Sequence, residues 1–193
     1  MEFTDYLSIG LQHILDPQGY DHILFVISLC AVYQLKDWKK VAWLVTAFTL
    51  GHSLTLALAI LRIVSFNSEV IELLIPITIL ITCFVNFFHK PEAANATWKV
   101  WLRFLLACGF GLIHGLGFSN FLRSMLGKEG DLFLPLLAFN VGLEIGQLAI
   151  VLFVLSSAYL FISIFRTKPR EWILAVSGIV AGVSLKILEQ NWI

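Results

Sequence analysis

The stretch LFLPLLAFNVGLEIGQLAIVLFVLSSAYLFISIF, Leu132 to Phe165, carries one charged side chain, Glu144, in a run long enough to cross the hydrocarbon core of a bilayer with residues to spare. A run this long and apolar makes lipid the solvent, and the rest of the chain agrees. Of 193 residues, 59% are apolar and 13% charged, with a mean hydropathy of +0.86. Soluble domains hold about 45–50% apolar and about 25% charged residues. The fold class expected is therefore all-α, a polytopic integral membrane bundle and a single transmembrane domain over 1–193.

Working outward from that stretch, further spans are expected near 21–35, 41–63, 69–88, 98–118 and 171–188, so that the bundle has six transmembrane helices with 132–165 as the fifth. The first is short. Residues 1–20 are expected as an outer amino-terminal segment. Within it Phe3, Leu7, Leu11, Ile14 and Leu15 approach helical spacing before Asp16-Pro17-Gln18-Gly19 breaks the pattern, which leaves open a seventh, partial helix.

Direction follows from basic residues, which are retained on the cytoplasmic side. The connections after the first, third and fifth spans, with their flanks, hold Lys36, Lys39, Lys40, Lys90, Lys99, Arg103, Arg166, Lys168 and Arg170, whereas the alternate connections hold only Arg62, Arg123, Lys128 and Lys186. This predicts a multi-pass plasma-membrane protein, of the bacterial inner-membrane type, with both termini non-cytoplasmic. The start Met-Glu-Phe-Thr-Asp lacks the basic opening of a secretory leader, and no segment is expected to be removed.

Composition also excludes function classes. With 13 Lys+Arg against 13 Asp+Glu there is no basic face for nucleic acid. No GxxxxGK[ST] motif is present to bind a nucleotide. Cys30, Cys83 and Cys108 are spaced singly inside apolar runs and read as packing residues. The lipid bilayer and a metal ion are the partners expected, and self-association is left open.

Ionisable groups inside a membrane are expensive and point to function. Here they are His13 and Asp16, the adjacent Asp21 and His22, His52, Glu69 and Glu72, His114, and the polar stripe Asn140, Glu144 and Gln147 on the fifth span. With the direction above, Asp21, His22, Glu72 and His114 lie near outer ends, Glu144 part-way in and His52 near mid-depth. One outward-opening cavity would contain most of them. Imidazoles with carboxylates suit Zn, Ni, Cu or Fe, whereas Ca and Mg prefer oxygen cages, and the absence of a Cys or Met cluster argues against Cu(I). The expected ligands of a divalent transition-metal ion, Ni or Zn foremost, are His13, Asp21, His22, His52, His114 and Glu144. Asn140, Gln147, Glu72 and Ser53 are expected behind them or along the path. The plainer alternative for each histidine is a hydrogen-bonded packing residue. His89, in Phe88-His89-Lys90-Pro91, reads as a solvated loop residue, and the spacings Gly111-xxx-Gly115, Gly142-xxx-Gly146 and Gly178-xxx-Gly182 as close-packing points.

Four ordered segments carry a resemblance: His13-Ile14-Leu15 through Asp21-His22-Ile23-Leu24-Phe25; Phe48-Thr49-Leu50-Gly51-His52-Ser53-Leu54-Thr55-Leu56; Phe110-Gly111-Leu112-Ile113-His114-Gly115-Leu116-Gly117-Phe118; and Phe139-Asn140-Val141-Gly142-Leu143-Glu144-Ile145-Gly146-Gln147. In these the chain resembles the HupE/UreJ family of small membrane proteins, in its second, HupE/UreJ_2-like branch. The resemblance implies a nickel, or sometimes cobalt, permease. Seven residues separate His13 from Asp21, more than in the better-described nickel members, and His114 alone stands where those have a histidine-rich repeat. Cobalt and zinc remain alternatives as cargo. The alternative function is an intramembrane zinc-dependent hydrolase acting on a lipid or lipid-linked substrate, with three histidines, an open coordination position and a carboxylate base. No HExxH or GxSxG motif accompanies it. A metal that merely staples the bundle is the third reading.

Overall fold

The computed structural model describes residues 2–17, 19–89, 97–126 and 132–192. These are helical, with no strand among the described residues. In chain order they form α1 (Phe3–Leu15), α2 (Asp21–Cys30), a 3-10 turn (Leu35–Asp37), α3 (Trp38–Ile60), α4 (Ser68–Phe87), α5 (Thr97–Gly117), α6 (Ser119–Leu126), α7 (Phe133–Tyr159) running into a π-helical stretch (Leu160–Ile164), and α8 (Pro169–Asn191). Among the described residues, five segments are long and apolar enough to cross a membrane: Leu35–Ile60, Ser68–Phe87, Val100–Gly117, Phe133–Ile164 and Pro169–Asn191. The protein is an all-α, multi-pass membrane bundle. Lys90 and Lys128, with the connections 90–96 and 127–131, lie outside the described residues.

The first span differs from expectation. Its helix stops at Cys30 instead of Leu35, and at 1.5 Å per residue α2 is only about 15 Å long. The missing length lies upstream. The amino-terminal segment is not a separate outer appendage: α1 packs along α7 and buries Tyr6, Gly10 and Ile14. Together α1 and α2 are long enough to cross about 30 Å of hydrocarbon as one discontinuous helix, interrupted after Leu15, where Pro17 supplies no N–H.

Two parallel helix pairs hold the bundle, each crossing at a reciprocal pair of glycines. A Cβ on Gly10 would collide with the Phe139 carbonyl, and one on Gly142 with the Leu7 carbonyl, fixing α1 on α7. Gly51 meets the Cys108 carbonyl and Gly111 the Phe48 carbonyl in the same way, fixing α3 on α5. Lipid supplies no hydrophobic drive between helices, so backbone-to-backbone approach of this kind carries the association. Gly115 and Gly146 are also closely packed, but a Cβ on Gly178 or Gly182 meets nothing within 4 Å. The third small-residue motif is therefore not a packing point in this chain.

Polar ties connect the remaining helices. Pro76 inside α4 leaves the Glu72 carbonyl without its usual helical donor, and Asn191 Nδ2 at the end of α8 donates to it at 3.0 Å. At the opposite end Asn86 Nδ2 donates to the Ser28 carbonyl at 2.7 Å and to Ser177 Oγ at 3.2 Å, joining α4 to α2 and α8. These contacts define two faces. The upper one carries Glu72 and Asn191; the lower one carries Ser28, Asn86 and the loops before α3 and α8. Cys30 and Cys83 are buried free thiols and Cys108 is half-buried.

Candidate metal centre

The break between α1 and α2 brings two helix ends to the middle of the bundle. The carboxyl end of α1, with its negative dipole, delivers His13, and the first turn of α2 delivers Asp21 and His22. His52 reaches the same place from α3 and His114 from α5, held together because Gly115 lies against the His52 carbonyl. His13, His22 and His52 each offer a ligand atom within 4.8 Å of the other two, and Asp21, His22 and His114 do likewise. Ring centroids of His22 lie 4.6 Å from His13, 5.8 Å from His52 and 5.0 Å from His114, so His22 is the hub. His52 and His114 are fully buried.

Hydrogen bonds set two of the tautomers. Asp21 Oδ1 accepts from the His22 backbone N–H at 2.8 Å and from His22 Nδ1 at 2.9 Å. A carboxylate only accepts, so Nδ1 carries the proton and Nε2 a lone pair. Thr78 Oγ1 donates its one hydrogen to the Ile75 carbonyl at 2.7 Å and lies 3.1 Å from His114 Nε2. Nε2 is therefore the donor, and His114 Nδ1 keeps its lone pair. Both freed nitrogens, with His13 Nε2 and both nitrogens of His52, are buried without a hydrogen-bond partner. Such orphaned groups each cost about 1–3 kcal/mol, which makes a cluster of them a place where a cation is compensated by what the chain already lacks.

The donor set fits a transition metal: imidazole nitrogens with one carboxylate suit Ni, Co and Zn and are foreign to Ca or Mg. Two nitrogens at about 2.0–2.1 Å from one tetrahedral metal stand about 3.4 Å apart, so closure on an ion needs ring movements of the order of an ångström.

Aromatic rings close the cluster on both sides. Above it the Phe118 ring lies 3.8 Å from that of His13 and stacks on Phe139 at 5.4 Å. Below it Phe25 stacks on Phe48 at 4.8 Å, with His114 5.4 Å from Phe25 and 5.1 Å from Phe48.

The remaining groups singled out in the sequence meet other partners. Glu144 belongs to neither ligand-distance group; its Oε1 accepts from Thr46 Oγ1 at 2.5 Å. Gln147 Oε1 accepts from Thr49 Oγ1 at 2.7 Å and Asn140 Oδ1 from Ser53 Oγ at 2.6 Å. The stripe on α7 does face the bundle, but it meets a row of hydroxyls on α3, because α7 presents Gly142 and Gly146 to α1 and the adjoining face to α3. Glu72 is exposed at the upper face. His89 is half-buried rather than fully solvated, and its Nδ1 accepts from Arg103 Nη2 at 2.8 Å. The reading from sequence missed Thr78, which orients His114, and the hydroxyl row Thr46 and Thr49. Threonine is common in membrane helices, and only the position of a neighbouring helix distinguishes these from the rest.

A family model described as HupE / UreJ protein matches residues 1–192. No curated protein and no solved structure matches the chain. The chain belongs to the HupE/UreJ family, which is associated with nickel and cobalt transport for hydrogenase and urease.

Proposed function

With membership of the HupE/UreJ family as premise, we propose that this protein is a membrane permease for a divalent transition-metal ion, nickel foremost, with cobalt and zinc as cargo of the same donor chemistry. The single observation that carries the reading is the set of buried imidazole nitrogens, from His13, His22, His52 and His114, left without hydrogen-bond partners around one point beside Asp21. The ion exchanges its water for these nitrogens and the Asp21 carboxylate. Glu144 braces α7 against α3 through Thr46 and is not among the ligands.

Neutral imidazoles bind without the grip of a closed thiolate cage, as release requires. Positive loops on the lower face support a cytoplasmic position for that face, with both termini outside, in the plasma membrane. Inward movement of a 2+ ion then gains about 4.6 kcal/mol per 100 mV of membrane potential, from about 2.3 kcal/mol per charge. The Phe118–Phe139 pair and the Phe25–Phe48 pair stand as the outer and inner barriers, so the structure corresponds to a closed state between two openings. The same rings fill the space a lipid substrate would need beside the histidines, which favours passage of an ion over hydrolysis.

Uptake of radioactive nickel or zinc into liposomes containing the purified protein tests this. Potential-driven accumulation that is lost in His22→Ala and His114→Ala is expected. A tightly held ion with no uptake would overturn transport, and unaltered metal stoichiometry in His114→Ala would overturn the site.

A further inference from the structure

On the lower face a narrow cleft of about 40 Å³ runs between α2, α4 and α5, lined by Arg103 and Tyr33 at one end and by Phe25 and Phe110 at the other. Its walls are almost wholly apolar. It opens sideways toward lipid, where Ile81 and Val85 are each 43% exposed. Exposed Trp101, two residues before Arg103 and so at nearly the same depth, is an aromatic residue of the kind that settles at the headgroup level.

Arg103 is the charged group of this cleft, and its partners are neutral. Nη1 donates to Tyr33 Oη at 2.8 Å and Nη2 to His89 Nδ1 at 2.8 Å. A guanidinium has five N–H donors, and no carboxylate pairs with this one among the described residues. The neighbouring Arg170 is already engaged: it donates to the Phe87 carbonyl, to that of His89 at 3.1 Å and to that of Asn86 at 3.3 Å, capping the end of α4. A fixed positive charge at the mouth repels a divalent cation, so the cleft is unsuited as an ion exit. A soluble anion would gain nothing from the greasy walls.

We infer that this cleft binds one anionic phospholipid, its phosphate on Arg103 and one acyl chain lying between α4 and α5. The argument rests on charge complementarity and on the lateral opening, and it is independent of what the histidines carry. The guanidinium fork matches phosphate oxygens bidentately, and the chain lies along the apolar wall that Ile81, Val85 and Leu106 present.

The test is native mass spectrometry of the full chain, delipidated and then equilibrated with equal phosphatidylglycerol and phosphatidylcholine. One phosphatidylglycerol per chain is expected, with a preference of about tenfold over phosphatidylcholine, as a charge-assisted contact provides. Arg103→Gln should abolish the preference. Val85→Trp, which fills the lateral opening from a half-exposed position and leaves Arg103 in place, should remove the bound lipid; this variant decides the matter if Arg103→Gln fails to fold. Equal retention of the two lipids by the wild type, or phosphatidylglycerol unchanged in a folded Val85→Trp protein, overturns the inference. Displacement of the lipid by inorganic phosphate at matched ionic strength would also overturn it, assigning the site to a soluble anion.

Discussion

Thr78→Val separates a tuned metal ligand from a merely buried histidine. The Thr78 hydroxyl gives its hydrogen to the Ile75 carbonyl and receives the one on His114 Nε2, leaving Nδ1 unprotonated. Valine keeps the shape and removes the acceptor. The stranded N–H costs about 1–3 kcal/mol, and the ring then gains by turning or by moving its proton to Nδ1, where it blocks the ion. Loss of an outer partner of this kind lowers metal affinity about 10–100-fold, or about 1.4–2.7 kcal/mol. The two ranges coincide because they count the same unsatisfied donor. Calorimetric titration with nickel and with zinc in detergent, beside thermal unfolding of the apo protein, reads the effect. Thr78→Ser restores the hydroxyl and should bind as the wild type does. A folded Thr78→Val protein with wild-type affinity would refute the tautomer assignment and remove His114 from the ligand set.

Glu144→Gln should leave metal affinity unchanged, since an amide oxygen still accepts from Thr46, whereas His52→Ala should lose it; the same titration compares them, and a large loss in Glu144→Gln would return that residue to the site. Gly111→Val and Gly142→Val force side chains into the Phe48 and Leu7 carbonyls and should destabilise the bundle by about 1–3 kcal/mol, measured as a lowered unfolding temperature in detergent. Gly178→Ala, which meets nothing within 4 Å, should be neutral or stabilise by up to about 1 kcal/mol. Single cysteines at exposed Lys39 and Glu69, probed with an impermeant maleimide on intact cells, should label from the cytoplasmic and the outer side respectively; the reverse pattern would invert the direction of transport.

Much of the fold was legible because hydropathy is a one-dimensional property. Spans expected at 41–63, 69–88, 98–118, 132–165 and 171–188 correspond to α3, α4, α5, α7 with its π-helical continuation, and α8, with ends displaced by only a few residues. One displacement has a local cause: Arg62 adopts a left-handed conformation, φ 59°, and lets Ile63 N donate to the Leu58 carbonyl at 2.9 Å, which ends α3 early. The first span registered as a short helix, with a partial helix over residues 2–15 left open, because Pro17 divides it into two pieces, each too short to register as a crossing. The four histidines and Asp21 were visible as polar residues in apolar helices. Their convergence was an inference from direction and depth, and the geometry places them together.

Sequence alone determined that the chain lives in lipid, where its long helices run, and which imidazoles lie inside apolar stretches at a cost. Only the tertiary structure decided which of those groups face one another. A residue's depth follows from counting along the helix, but its azimuth depends on which neighbour the helix packs against, and a single residue turns the face by about 100°. Gly142 of α7, packed against α1, and Gly111 of α5, packed against α3, set those azimuths. That is why Glu144 ends at Thr46 while His114, deep in another helix, ends beside His22.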